Sequence, residues 1–473
     1  MRKDFGTIVL KFRRNKVFLL LMVLSLGGTT RADLTTGLSP RENNSDPVPL
    51  IEAAKSQDWD KLRTLLEQGE KATVTSADGA TALHWASYWD NIETAELLIN
   101  SGANPNAVND LGATALWNAS LNGSEEMVGM LLGNGADPAI SLVSGESPVM
   151  TAARTGNAKV VELLLMAGAD PNARGARGQT ALMWAAAQHH SAAVSALLEH
   201  GADVHARSET WSQVMAIPPH SDPANQQNVP HGNNTALMFA AREGDVASAK
   251  LLIAAGARVN DFNARGTSAI VLAAHSGYRD VVEFLLDVSA DPDAAEAGFS
   301  ALHLAIMRRD HAMARTLLEH GADPNAQVTN WSASRRASSD WHFHPALVGA
   351  APFWLAARFI QPATMRLLVN HGADPLFVHH ADYIGAEGTF GTVQRMEKTT
   401  ALMAAVGMGG PRRMRAYIDP SPSEVEALTL EAVKLAVELG IDTKAEDQEG
   451  RTAADAARYE SVVEYLVTNR SRR

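Results

Sequence analysis

Apolar residues recur along most of the chain in short helical stretches that begin after a Thr or Ser and end before a Gly. The tetrads TALH at Thr81, TALW at Thr114 and TALM at Thr180 open such stretches, with a repeated spacing of 33 residues. Thr or Ser before an apolar stretch is typical of a helix N-cap, and Gly is typical of a helix C-terminus. Each unit predicts two short helices. Neither helix can bury its apolar face alone, so the copies must stack.

A second motif follows each tetrad by about 22 residues and marks the end of the second helix. It reads GANPN at Gly102 and GADPN at Gly168 and Gly321. Ala is frequent within the predicted helices, as expected where thin layers approach one another closely. We predict one array of about eleven units over residues 48–470, with residues 48–77 as a capping unit that keeps the helix pair and lacks the tetrad.

The period and its two motifs, T-x-L-H-x-A and G-A-D-x-N, resemble the ankyrin repeat. TALHWA at Thr81 and SALHLA at Ser300 are the nearest matches, while the Pro of the family motif is usually Ala here, with Pro148 and Pro352 as exceptions. The resemblance implies an all-α fold: an ankyrin-like solenoid of stacked helix pairs with β-hairpin or finger loops.

The resemblance also implies where a partner binds, because ankyrin proteins commonly use the concave side at the ends of the first helices. Tyr88 and Trp89 are large for such a position, so they are the leading candidates there. An alternative stays open: Trp85 and Trp89 are four residues apart and could both pack in the core near the N-terminal unit.

Inserts interrupt the period four times, at residues 207–232, 327–348, 376–397 and 409–423. By the resemblance, the first three occupy the hairpin or finger loop and extend from one edge of the array. The fourth separates the two helices of its own unit. Long loops in a compact array are usually functional or disordered.

The first three inserts are rich in aromatic side chains, which supply binding area at a low cost in conformational entropy. Two interpretations stay open: the rings brace the loops against the array, or they bind a partner. Two adjacent arginines could hold a carboxylate or phosphate, or pair with the chain's own acidic residues. The candidate partner-binding residues of the inserts are Trp211, Trp331, Arg335, Arg336, Trp341, Tyr383 and Phe390.

Histidines in the second and third inserts raise the alternative of a metal- or small-ligand-binding periplasmic protein, since His suits zinc, iron or copper. The candidates are His342, His344, His379 and His380. No metal-binding motif orders them, so we predict neither a metal site nor a cofactor. The sequence also has no Gly-x-Ser-x-Gly elbow, Walker loop or GxGxxG motif, so we predict a non-catalytic protein.

Residues 1–32 differ from the array and predict a secretory signal peptide. Basic residues precede a ten-residue apolar run from Val17 to Leu26, and small residues lead to a cleavage site after Ala32. The run is short for a membrane span of about 20 residues, although an uncleaved anchor is the alternative. Residues 33–47 predict a flexible linker. We therefore expect a periplasmic or secreted protein without stable membrane insertion after cleavage.

The net charge of the chain limits the classes of partner that it can bind. The formal net charge is −12, and cleavage after Ala32 makes it −18, because seven Lys or Arg and one Asp are lost. A nucleic-acid surface needs clustered basic residues, so we predict no nucleic-acid partner. The absence of cysteine excludes disulfides and thiolate chemistry. The sequence predicts an exported monomeric scaffold that binds a protein partner whose identity it does not encode.

Overall fold

A computed structural model describes residues 48–216, 226–332, 343–387, 391–411 and 420–470. The predicted signal peptide, residues 1–32, and the predicted linker, residues 33–47, lie outside these ranges.

Within the described residues the chain forms 22 α-helices in eleven consecutive pairs, with odd numbers for the first helix of a pair and even numbers for the second. The first helices are α1 Pro49–Lys55, α3 Ala82–Tyr88, α5 Ala115–Asn122, α7 Pro148–Thr155, α9 Ala181–Ala187, α11 Ala236–Glu243, α13 Ala269–Ser276, α15 Ala301–Met307, α17 Pro352–Arg358, α19 Ala401–Ala405 and α21 Ala453–Ala456. The second helices are α2 Trp59–Glu67, α4 Ile92–Asn100, α6 Glu125–Gly133, α8 Ala158–Met166, α10 Ser191–Glu199, α12 Val246–Ala254, α14 Arg279–Asp287, α16 His311–Glu319, α18 Pro362–Asn370, α20 Val425–Glu438 and α22 Glu460–Arg470.

Each helix pair packs on the next pair along the chain. Every first helix contacts the following first helix from α1 to α21, and every second helix contacts the following second helix from α4 to α22. Such stacking of neighbours is the arrangement of a solenoid. The prediction of an all-α array of stacked helix pairs is confirmed.

The tetrad threonines cap the first helices. Their hydroxyl oxygens accept the backbone N–H of the third following residue, at Thr81, Thr114, Thr180, Thr235 and Thr400. The serines were expected to do the same, but Ser147 and Ser268 make no such bond. Their buried hydroxyl groups have no hydrogen-bond partner among the described residues, and nothing in the structure explains the difference.

Alanines fill the contacts between successive first helices. The side chains of Ala86, Ala119, Ala152, Ala185 and Ala240 are fully buried at equivalent positions of five repeats. A small side chain at each crossing lets neighbouring helices approach closely while the interior stays densely packed. The leucines of the second helices, such as Leu131 and Leu164, close the core on the other side.

Two antiparallel β-hairpins accompany the helices in the described part of the chain. They are β1 Trp211–Ala216 with β2 Gln226–His231, and β3 Val378–Glu387 with β4 Gly391–Thr400. They precede the first helices α11 and α19, where the first and third inserts stand. Strand β4 runs into the N-cap of α19, because Thr400 belongs to both elements.

The second and fourth inserts are described only in part. In the second, residues 333–342 lie outside the described ranges, and a 3₁₀ turn, Pro345–Leu347, follows them. In the fourth, residues 412–419 lie outside them. This fourth insert connects α19 to α20, so it stands between the two helices of one pair.

Candidate interaction surface

The first helices line one face of the array, which we call the first-helix face. We number each repeat from the first residue of its tetrad, for example Thr81. In the first six repeats with a tetrad, the residues one, two, five and six positions after this residue are buried. The residue seven positions after it is exposed at least in part. The helical period therefore sends one side of each first helix into the core and presents another. The residues presented at this position are Tyr88, Leu121, Arg154, Ala187, Arg242 and His275.

An aromatic cluster stands at the N-terminal end of this face. The ring of Tyr88 meets Trp85 edge-on at 5.8 Å and Trp89 edge-on at 4.9 Å between centroids. All three side chains are half-buried. The Trp89 indole nitrogen is buried without a hydrogen-bond partner among the described residues. The two candidates from the sequence therefore share one apolar patch with Trp85.

A groove lies further along the first-helix face, between α9 and α11. It encloses about 270 Å³, with the half-buried ring of Trp184 on one side and the largely buried ring of Phe239 on the other. Its remaining lining residues are Gln179, Met183, Ala187, Gln188, Arg242 and Glu243. Aromatic side chains accompanied by a few polar groups are typical of a recognition site for an apolar side chain.

Two arginines stand over the rings of this groove. The guanidinium carbon of Arg154 lies 5.9 Å from the Trp184 ring centroid, and that of Arg242 lies 4.9 Å from the Phe239 centroid. Each arginine also pairs with a carboxylate, Glu146 at 2.8 Å and Glu243 at 2.9 Å. The ion pairs hold the cations in place over the rings, where the ring quadrupole attracts them.

Sequence reasoning missed Trp184 and Phe239. Their signal was nevertheless in the period, because both stand four residues after the first tetrad residue, the position that Trp85 occupies in its own repeat. Aromatic residues at the same position of several first helices indicate that their rings share one face of the array rather than fill separate core positions.

Among the insert candidates, Trp211 is held against the array. Its ring stacks on His231 across the hairpin at 4.3 Å, with only 12° between the planes. The guanidinium carbon of Arg177, which precedes α9, lies 4.1 Å from the Trp211 ring centroid. Engaged on these two sides, Trp211 braces the β1–β2 hairpin, and part of its side chain stays exposed.

Tyr383 is a buried residue of the β3–β4 hairpin, with 5% of its surface exposed. Its hydroxyl donates to Glu397 at 2.8 Å, and its ring meets His344 edge-on at 5.5 Å. Burial, reinforced by the negative charge of Glu397, raises the pKa of the Tyr383 hydroxyl. This side chain therefore offers little area to a partner. Trp331 is half-buried, and its backbone N–H donates to the side chain of Asn330.

The three described histidine candidates do not converge. His379 is fully buried, with Nε2 at 2.9 Å from the carbonyl oxygen of Ala346 and its ring centroid 4.3 Å from that of Trp354. His380 is the next residue on β3 and is exposed, because successive strand residues face opposite sides. His344 accepts the backbone N–H of Ala346 through Nδ1. No group of three metal-ligating side chains occurs among the described residues.

Five candidates lie outside the described residues: Arg335, Arg336, Trp341, His342 and Phe390. They stay predictions from the sequence. In the described part of the chain, every helix is too short or too polar to span a bilayer.

Comparison with known proteins identifies the class. The family model "Ankyrin repeats (3 copies)" matches residues 50–141, 140–208, 215–296 and 237–328, together more than half of the chain. The chain therefore belongs to the ankyrin-repeat proteins. Ankyrin repeats generally mediate protein–protein interaction and are generally not enzymes.

Particular relatives match only short stretches. A putative ankyrin repeat-containing protein of Treponema pallidum is 43% identical over 90 residues, which are 19% of this chain and 30% of that protein. The palmitoyltransferase AKR1 of Yarrowia lipolytica is 36% identical over 76 residues, or 16% of this chain and 10% of the relative. The rabbit cation channel TRPV1 is 27% identical over 24% of this chain and 15% of the channel. The matched part thus spans less than a third of these relatives.

A solved structure, the human ASB11 ankyrin repeat domain, is 29% identical to the chain. The match covers 52% of this chain and all of that domain, with a TM-score of 0.43.

Proposed function

We propose that this chain is an exported, non-catalytic scaffold that binds a protein partner through its first-helix face and its aromatic inserts. Membership of the ankyrin-repeat family supports the general role. We choose this surface because of the groove between α9 and α11, which is lined by aromatic rings and flanked by Arg154 and Arg242.

The chemistry of the groove favours a partner that inserts an apolar side chain. Trp and Arg are the residues most enriched at energetic hot spots of protein interfaces. Here Trp184 is held on a helix that packs on both neighbouring first helices, so binding orders little additional side chain. Gln188 and Glu243 at the rim can hydrogen-bond the backbone around the inserted side chain.

The N-terminal aromatic cluster supplies a second contact on the same face. Trp85 and Trp184 stand three repeats apart, and neighbouring packed helices lie about 8–10 Å apart. The two contacts are thus separated by about 24–30 Å. A partner that reaches both would bury an interface the width of a small domain. We therefore propose a folded partner or a long helix rather than a short peptide.

The inserts would extend this surface along the hairpin edge. The Trp211 ring contacts Arg177 of the preceding loop, and the Tyr383 hydroxyl donates to Glu397 within its own hairpin. We therefore assign to these two residues mainly the role of holding the hairpins in position. Direct partner contacts are assigned to Trp331 and, from the sequence, to Arg335, Arg336, Trp341 and Phe390.

Export rests on residues 1–32 alone. Cell fractionation followed by mass spectrometry of the intact protein tests it. We expect a mature form that begins at Asp33 in the envelope or medium. A full-length protein in the membrane fraction would instead indicate an uncleaved anchor, and one confined to the cytoplasm would refute export.

Cross-linking from one defined position tests the surface. A photo-reactive residue replaces Gln188 at the rim of the groove, and a matched one replaces Glu283, an exposed residue of the second helix α14. We expect a discrete cross-linked protein from the Gln188 position and none from the Glu283 position. The captured protein is then purified and titrated against the full chain.

Titration of single variants measures the contribution of the groove. Truncating a buried aromatic hot spot typically costs 2 kcal/mol or more, so Trp184→Ala should weaken binding about 30-fold. Glu283→Ala is the control and should leave the affinity unchanged. Equal affinities for the wild type and Trp184→Ala would refute the assignment of this face.

A further inference from the structure

A second cavity lies at the C-terminal end of the array, away from the groove at Trp184. It encloses about 250 Å³ among the last four repeats and receives three arginines, Arg309, Arg358 and Arg458. These residues come from loops or helix ends of the eighth, ninth and eleventh helix pairs, while the tenth pair supplies Ala405 to Gly407. Three cations around one cavity are unexpected in a chain whose formal net charge is −12.

Backbone carbonyl groups orient two of these arginines. Arg358 is 9% exposed and donates from Nε to the Gly409 oxygen at 2.9 Å and from Nη2 to the Pro411 oxygen at 3.3 Å. Arg309 donates to the carbonyl oxygens of Phe359 and Ile360. Carbonyl oxygens orient a guanidinium group without cancelling its charge, so the positive charge stays available to a ligand.

Two carboxylates of the described residues act on these arginines, and both accept hydrogen bonds from other groups. Glu397 attracts Arg358, but it accepts hydrogen bonds from the Tyr383 hydroxyl and from the backbone N–H of Gly410. Glu424 lies near Arg309 and is hydrogen-bonded to Ser421 at the exposed start of α20.

Arg358 and Arg458 have no ion pair with a carboxylate among the described residues. Burial lowers the pKa of Arg358 to about 10, with Glu397 opposing the shift and the nearby Arg458 adding to it. A buried cation without a paired anion is costly, and a bound anion removes that cost.

Most of the other lining residues are apolar, and Thr429 and Tyr459 add polar groups. The apolar residues come from α19, α20, α22 and the neighbouring loops and include Phe359, Val406 and Val462. The fourth insert lengthens the connection between α19 and α20, and Pro420 from this connection lines the cavity. Among the described helix pairs, the tenth alone has a long connection between its two helices, and this connection contributes to the cavity.

We propose that this cavity binds a small organic anion, a carboxylate or a phosphate ester with a compact apolar body. Arg358 and Arg458 bind the anionic group, and Arg309 completes the positive rim. Planar guanidinium groups match the oxygens of carboxylates and phosphates by paired hydrogen bonds. The apolar wall accepts the remainder of the molecule. At about 250 Å³ the cavity is slightly smaller than typical ligand pockets, so the proposal is limited to a small ligand.

Calorimetric titration of the full chain at constant ionic strength tests the proposal. The probes are phenylacetate, phenyl phosphate and inorganic phosphate, with benzyl alcohol as a neutral compound of similar shape. We expect saturable binding of at least one of the two aromatic anions and none of benzyl alcohol. Comparison of phenylacetate with phenyl phosphate identifies the preferred anionic group, and inorganic phosphate shows how much the apolar body adds.

Arg458→Gln is the informative variant, because this exposed side chain has no hydrogen bond or ion pair among the described residues. Loss of a charged hydrogen-bonding partner should weaken anion binding about tenfold or more. The matched control is Arg258→Gln, which removes an exposed charge from the loop that follows α12.

Two outcomes overturn the proposal: no saturable binding of either aromatic anion, or equal weakening by Arg458→Gln and Arg258→Gln. Trp184→Ala should leave anion binding unchanged, so failure of this site and failure of the proposed partner surface are separate results.

Discussion

The side chain of His303 joins its repeat to the next, because its Nε2 lies 3.0 Å from the carbonyl oxygen of Ala326 in the following loop. The backbone N–H of Ser300 donates to Nδ1 at 3.0 Å, so Nδ1 is unprotonated and Nε2 carries the hydrogen that Ala326 accepts. His84 also contacts the loop that leads to the next repeat, because its Nε2 lies 2.9 Å from the carbonyl oxygen of Ala113. The tetrad histidine therefore acts as a neutral connector between layers.

This connector should make the array sensitive to acid. Burial lowers the pKa of His303 to about 4, whereas an unfolded histidine titrates near 6.5. As the pH falls between these values, the unfolded chain binds a proton that the folded chain does not, so the free energy of unfolding decreases. The decrease from His303 is at most about 3 kcal/mol. Urea unfolding at a series of pH values measures it.

His303→Gln should be less stable near neutral pH and should lose part of this pH dependence. His205→Gln, at an exposed position, is the control and should keep it. An identical pH profile for the wild type and His303→Gln would show that the acid sensitivity has another origin.

Replacing an alanine between two first helices by a larger residue should push the helices apart and destabilise the array. Ala240 is fully buried in α11, which packs between α9 and α13. Ala240→Leu forces extra methyl and methylene groups into this contact and should lower the free energy of unfolding by about 1–3 kcal/mol. Ala312→Leu, on the exposed side of α16, should change it by less than about 0.5 kcal/mol. Equal effects at the two positions would contradict the role of alanine in stacking.

The glycine before a tetrad should be more sensitive than the glycine that ends a second helix. Both Gly112 and Gly168 have positive φ, +80° and +92°. A Cβ at Gly112 would lie 2.9 Å from the backbone oxygen of Ser141 and from the backbone nitrogen of Val143 in the next repeat. A Cβ at Gly168 would meet nothing within 4 Å.

Both Gly→Ala variants should therefore show the cost of a left-handed residue, about 1–2 kcal/mol. Gly112→Ala should lose more, because backbone of the following layer must move. Thermal unfolding of the two variants measures the difference in stability. A smaller loss of stability for Gly112→Ala would show that the backbone of the next repeat moves at little cost.

Arg177 should control the opening of the first hairpin through its contact with Trp211. Arg177→Ala removes a cation–π contact that is worth about 0.5–1 kcal/mol at an exposed site. Amide hydrogen exchange in β1 should become about two- to fivefold faster. Arg258→Ala removes the same charge elsewhere and should leave this exchange rate unchanged. Mass spectrometry of peptides from residues 211–216 gives the measurement.

Much of the fold follows from local pattern. The spacing of tetrads such as Thr81 and Thr114, and the glycines that end the second helices, predicted the helix pairs and the family. These features act within one or two turns of helix, so a single sequence displays them. The serine caps show the limit of such reasoning, because Ser147 and Ser268 occupy the same sequence position and make no capping bond.

The candidate surface was predicted less completely. Tyr88 and Trp89 were selected because they are large for an exposed turn, and they stay predictions. Trp184 was missed because a ring within an apolar helix looks like core until the neighbouring layer is placed. Tyr383 was selected as a loop aromatic, but its position on β3 directs it toward Glu397 and the interior.

The sequence by itself determined the repeating unit, its helix pairs, the class of protein and the places where inserts enter. Only the tertiary structure decided which rings face outward and which charges meet. Arg309, Arg358 and Arg458 lie about 50 and 100 residues apart in the chain, yet they line one cavity. Stacking brings equivalent ends of successive layers together, and side-chain contacts between layers depend on packing that no local pattern encodes.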